Sequence, residues 1–161
     1  MPTLLKACLA ALALTLAPAA AASQEASQTE EIRVMEAVNA FMTAFDNKDS
    51  ATMNALLTED AYLAWVREGE GGDPTQSMRL SDLATGIADV PADIAEPLSI
   101  RALMVDGPVA MVWADYAFYL DGVQTHCGVD IFTLMRVEGE WKIATITYSH
   151  IEQSCEDAPR P

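Results

Sequence analysis

The chain is short of basic groups: 9 Lys and Arg stand against 24 Asp and Glu in 161 residues, a formal charge of −15 at neutral pH. Such a surface repels phosphate backbones and anionic bilayers, so neither a nucleic-acid partner nor a basic membrane-binding patch is expected. Only two histidines and three cysteines are present, with no CxxC or HxxxH spacing, so no metal site is expected. The one glycine-rich stretch, Glu68-Gly69-Glu70-Gly71-Gly72-Asp73, carries three acids and would repel a phosphate rather than cradle it. Ser149 has no base beside it, and no nucleophile motif appears elsewhere. No cofactor is expected. Long apolar runs are also missing: Ala7 to Ala17 falls short of the roughly 20 residues of a membrane span, and Pro18 interrupts it.

That short run has another meaning. Lys6, the apolar core that follows it, and Ala19-Ala20-Ala21-Ala22 before Ser23-Gln24-Glu25 are the parts of a cleavable secretory signal. The reading is a signal peptide over 1–22, a loose polar segment over 23–29, one domain over 30–151 and a polar tail over 152–161. Cleavage would leave 139 residues, enough for one domain with a proper core. It would place the protein in the periplasm or outside the cell. Cys8 would leave with the signal, so Cys127 and Cys155 remain, a pair in an oxidising compartment, and a disulfide is expected.

Ile32, Met35, Val38, Phe41, Met42 and Phe45 recur at helical spacing from Glu30, and Asp46-Asn47-Lys48-Asp49 breaks the stripe. Asp49 or Ser50 caps a second short helix with Met53, Leu56 and Leu57. Ala61 to Val66 reads as a strand, 67–78 as a loop, and Ser81 as the cap of a third helix with Leu83, Ile87 and Val90. Pro91 and Pro97 bracket a connection. Four strands follow: Ser99 to Val105, Val109 to Leu120, Val123 to Val137 and Glu140 to Ile151. Asp121-Gly122 and Glu138-Gly139 are tight hairpin turns. The fold class is α+β, with helices packed on one face of a curved antiparallel sheet.

Two-residue turns at those positions pair Leu120 with Val123 and Val137 with Glu140. Carried along the strands, this register puts Met111, Trp113, Asp115 and Ala117 on one face with His126, Gly128, Asp130, Phe132, Thr145, Thr147 and Ser149. Asp130 then lies between Trp113 and Thr147. The other face, with Val112, Ala114, Tyr116 and Phe118, is apolar, and His150 falls on it. Periodicity alone leaves open which face lines a cavity.

The break at Asn47-Lys48-Asp49, the run His126-Cys127-Gly128-Val129-Asp130-Ile131-Phe132-Thr133-Leu134, and the later Trp141-Lys142-Ile143 and Thr147-Tyr148 resemble the nuclear transport factor 2-like (NTF2-like) superfamily, in its SnoaL-like and lumazine-binding-type branches. The resemblance spans about residues 30–151. It implies a cone-shaped fold with a cavity between sheet and helices, a fold that hosts both enzymes and binding modules. In the related ketosteroid isomerases an aspartate six residues before an arginine lies in that cavity, and Asp130 stands six before Arg136. This favours the Asp130 face as the wall. Their second aspartate falls on Trp65 and their helix tyrosine on Phe41, so the resemblance does not imply that reaction. Relatives pair through the sheet, which makes a homodimer an expectation.

The functional expectation is an exported domain that binds a small, mostly apolar molecule, with Trp113, Asp115, His126, Phe132, Thr147, Tyr62 and Trp65 around it. The alternative is a cofactor-free lyase, isomerase or hydrolase with Asp130 as acid or base, since an apolar cavity raises a carboxyl's pKa towards a useful range. A third possibility is a dimeric scaffold or interaction module. His126 and Asp130 are too far apart along one strand for a direct dyad, and Asp130 is the one group to which the sequence assigns a catalytic role.

Overall fold

A computed structural model describes residues 18–68, 75–152 and 155–161. The first seventeen residues of the expected signal, and most of the glycine-rich loop, lie outside the described residues. Helix α1 (Pro18–Asp46) begins earlier than periodicity suggests. Residues 23–29, expected to be loose, continue it, as their Ala, Gln and Glu content favours. Its buried stripe is Val34, Val38, Phe41, Met42 and Phe45, whereas Ile32 is 60% exposed. Helix α2 (Ser50–Ala55) is capped by Asp49, whose side chain accepts from the Thr52 backbone N–H at 3.0 Å.

Strand β1 (Leu57–Glu68) is twice the expected length, and β2 (Gln76–Arg79) folds back on it where a loop was expected. Helix α3 (Leu80–Ala88) follows, its N-cap position held by Arg79 with no side-chain cap, not by Ser81. Strands β3 (Ile94–Ala95) and β4 (Leu98–Asp106) both pair with β5 (Val109–Leu120). Strands β6 (Val123–Val137) and β7 (Glu140–Ile151) complete the sheet. The order is β2-β1-β7-β6-β5-β3. The sheet is mixed rather than antiparallel, because β1 runs parallel to β7.

Both tight turns form as the sequence predicts. Asp121 and Gly122 have φ of 50° and 74°, and Glu138 and Gly139 of 53° and 90°, the all-positive pair that matches the strands' twist. The register they start does not persist. Tyr119 pairs with Gln124, but Phe118 pairs with His126, so Thr125 is bulged out of β6. Leu134 pairs with Ile143, but Thr133 pairs with Thr145, so Ala144 is an extra residue in β7. A third shift lies between Ile100 and Ala102 in β4. Each bulge bends its strand and exchanges the faces of everything beyond it. The sheet curls around the helices, and the core of α1, α2 and α3 side chains packs into its concave side.

Candidate functional site

The bulges decide which residues meet. Asp130 pairs with Ala114 on one side and Tyr148 on the other, not with Trp113 and Thr147. The concave face therefore carries Val112, Ala114, Tyr116 and Phe118 with His126, Gly128, Asp130 and Phe132 of β6. Trp113 and Asp115 fall on the convex face. Trp113 is 38% exposed there, and Asp115 is bound by Arg101, Nε at 2.6 Å and Nη2 at 2.5 Å. Thr147 is exposed on the same side, as is Tyr62 on β1. Asp115 and Asp130, which the unbroken register put on one face, thus lie on opposite faces.

A cavity of about 170 Å³ lies between the helices and the concave face. Phe41, Met42 and Phe45 of α1 and Leu83 and Ile87 of α3 form its helical wall; Leu63, Tyr116, Phe118, Phe132 and Ile146 form its sheet wall. His126, Asp130, Tyr148 and Glu96 supply the polar groups. His126 and Asp130, four residues apart on the same face of β6, both line the cavity. Trp65 stacks on Tyr148, centroids 5.7 Å apart and planes 11° off parallel, beside it on the same face, and is not among the lining residues.

Asp130 is 4% exposed and is the one buried polar residue among those described. No described residue donates a hydrogen bond to its carboxyl or to that of the half-buried Glu96, and both carboxyls open onto the cavity. Burial pushes the Asp130 pKa up to about 8. The Glu96 pKa is also raised well above the usual range, first by burial, then by the charges of Asp130 and Asp46. Two acids so placed cannot both ionise cheaply, and at neutral pH the pair retains a proton.

Glu96 is the residue that periodicity could not find. It lies in the short link between β3 and β4, next to Pro97, with no strand or helix pattern around it. Its place is set from a distance. The Glu96 backbone N–H donates to Asp46 at the end of α1, at 3.0 Å. Lys48 has φ of 57° in the break after α1, and its ammonium donates to the carbonyls of Val90 at 3.1 Å and Ala92 at 2.8 Å. The break that ends α1 thus anchors the segment that carries Glu96.

The Tyr116 hydroxyl donates to the Ser149 carbonyl at 2.9 Å. This leaves its oxygen lone pairs able to accept but its proton committed. The contact depends on Gly128, where an added Cβ would lie 2.0 Å from that same carbonyl oxygen. His126 donates or accepts at Nδ1 with Thr125 at 2.8 Å and stacks on His150, centroids 4.0 Å apart. His150 thus joins His126, contrary to the face the simple register gave it. Burial, followed by the His150 charge, lowers the His126 pKa to about 4, so the imidazole is neutral at pH 7. Arg136, which marked Asp130 in the sequence, pairs with Glu30 at 3.1 Å instead of reaching the cavity. Behind His126, Cys127 is bonded to Cys155 across 28 residues, Cα atoms 5.8 Å apart.

Among the described residues, no group of three His, Cys, Asp or Glu could hold a metal ion, and no helix is long and apolar enough to cross a membrane.

The sequence of residues 28–149 matches the family described as "Putative lumazine-binding". The chain belongs to that family, and its fold is the NTF2-like cone. Solved NTF2-like structures share the cone. One is an NTF2-like protein of unknown function from Shewanella baltica, 19% identical, TM-score 0.61, covering 76% of this chain and 94% of that one. Another is an NTF2-like protein from Novosphingobium aromaticivorans, 18% identical, TM-score 0.61, covering 88% and 93%. A third is a ketosteroid isomerase-like protein from Erwinia carotovora atroseptica, 21% identical, TM-score 0.54, covering 76% and 96%. At such identities the likeness concerns the fold. No protein with a curated description matches the sequence. In this NTF2-like domain the cone's interior is the cavity around Asp130.

Proposed function

We propose that the protein binds a small, mostly apolar molecule inside the cone, held in orientation by Asp130 and Glu96. The observation that carries this reading is the Asp130 carboxyl, which opens onto an apolar cavity and receives no hydrogen bond from a described residue. Such a group is costly unless something that fills the cavity completes it. An engineered apolar cavity of roughly 150 Å³ takes up benzene, so about 170 Å³ suits a molecule of about one ring. The family's description points the same way. Native mass spectrometry of the purified mature protein tests the reading. A mass increment of a small molecule that Asp130→Asn reduces is expected; an empty cavity in every preparation, with no uptake of added one-ring compounds, would overturn it.

A second reading is favoured by the Asp130–Glu96 pair. Two acids in one cavity can divide the roles of proton donor and acceptor, and Asp130 then acts as acid or base for a cofactor-free lyase, isomerase or hydrolase. Turnover that survives Asp130→Asn unchanged would exclude it.

We further propose export to the periplasm or the cell exterior, on the signal-like residues 1–22 and the Cys127–Cys155 pair. A homodimer through the convex face is proposed as well, since Met104, Val109, Trp113 and Met135 are exposed there. Sedimentation of the mature protein would read a monomer if this pairing is absent.

A further inference from the structure

We infer that the occupant of the cavity is a protonated amine with an apolar body about one ring in size, its ammonium seated between Asp130 and Glu96. The inference deepens the binding reading above and rests on it.

Charge is the first argument. Asp130 and Glu96 share the cavity, and Asp46 stands behind Glu96 at the end of α1. No lysine or arginine is among the residues that line the space. Arg67, on β1, acts on His126 and Tyr148 from outside the cavity and is paired with Glu152 at 3.7 Å. The cluster lacks a cation, and a buried charge is stable when paired and hydrogen-bonded. An ammonium supplies both the charge and the missing donors, up to three N–H groups to a carboxyl that has none.

The walls are the second argument. Phe41, Phe45, Tyr116, Phe118, Phe132 and Tyr148 all line the space. Aromatic faces attract a desolvated cation, and the attraction grows as water is excluded. The molecule's own charge of −15 adds a field that draws cations and turns anions away. An anionic ligand meets opposition from every part of this site. A neutral alcohol or ketone gains a hydrogen bond and nothing else.

The pH behaviour follows from the groups that face the pair. These are Asp46 from α1, Tyr116 from β5, His126 from β6 and Tyr148 from β7, with only apolar side chains from α3 and β1. None carries a positive charge at neutral pH, because His126 is held neutral by burial. An ammonium favours the ionised pair, so its arrival expels a proton, and affinity rises with pH while the amine stays protonated.

Isothermal titration of the mature protein with benzylamine, benzyl alcohol and benzoate tests this, each run in two buffers of different ionisation enthalpy. Benzylamine is expected to bind at least about tenfold more tightly than benzyl alcohol, with proton release to the buffer, and benzoate to show no binding. Asp130→Asn, or Glu96→Gln where the first variant does not fold, is expected to abolish that preference while benzyl alcohol still binds. Benzyl alcohol binding as tightly as benzylamine, or benzylamine binding without proton release, would overturn the inference and leave the cavity reading intact. No binding by any of the three would remove both.

Discussion

Asp130 is buried with neither a cation nor a donor beside it, and that shapes the fold's response to pH as well as the chemistry of the cavity. Its pKa stands near 8 in the folded protein against 3.8 unfolded. The folded state therefore binds more protons between those values, and stability falls as pH rises through that window. His126 works in the opposite sense. Its value is about 4 folded and 6.5 unfolded, so it makes stability rise with pH until about 6.5 and contributes nothing further above that. From about pH 6.5 to about pH 8 the carboxyls act alone. Thermal unfolding is expected to show the melting temperature falling across this interval, and Asp130→Asn to flatten the fall. A flat or rising profile in the unmutated protein would contradict the uncompensated burial. Gly128 gives a second test at this scale. With a Cβ 2.0 Å from the Ser149 carbonyl oxygen, Gly128→Ala must push β6 and β7 apart or displace the Tyr116 contact. A loss of about 1–3 kcal/mol is expected in denaturant titration; a change within about 0.5 kcal/mol, as for an ordinary surface position, would show that the approach is not so close.

Among the elements, the strands with strong β patterns and positive-φ turns were legible: β5, β6 and β7 begin and end where the sequence places them. The site was less so, and the cause can be named. Thr125 and Ala144 are single extra residues without the glycine that would mark a bulge, yet each reverses the facing of a strand. Trp113, Asp115 and Thr147 were expected beside Asp130 because the register was carried through those two positions unbroken. Asp130, His126 and Phe132 share a face in either register, since all three lie beyond the Thr125 bulge on one strand. Glu96 was invisible for another reason: it sits in a link between prolines, placed by Asp46 and Lys48 some fifty residues earlier. The tail carries its own prediction. Ala158 and Cys155 pack on Ala117, Tyr119 and Cys127, and the Tyr119 hydroxyl donates to the Pro159 carbonyl at 3.0 Å. Cys155→Ser is expected to cost about 2–4 kcal/mol and to open residues 155–161 to proteolysis, while the main core stays folded. A tail as resistant as before would mean that these contacts hold it without the disulfide.

At the scale of the whole molecule, the cone is a container. Three helices close the concave side of one curved sheet, and the apolar lining would make an ordinary core if the Asp130 and Glu96 carboxyls were absent. Family membership accounts for the cone, and the proposal that it holds a small molecule rests on the carboxyl pair inside it. The measurement that bears most directly on this is methyl NMR of the mature protein during titration with a one-ring apolar compound such as benzyl alcohol. Shifts are expected at the methyl groups of Met42, Leu63, Leu83, Ile87 and Ile146, which line the cavity, with Met104, Val109 and Met135 on the convex face unmoved. Shifts at the convex face alone, or at neither, would contradict it.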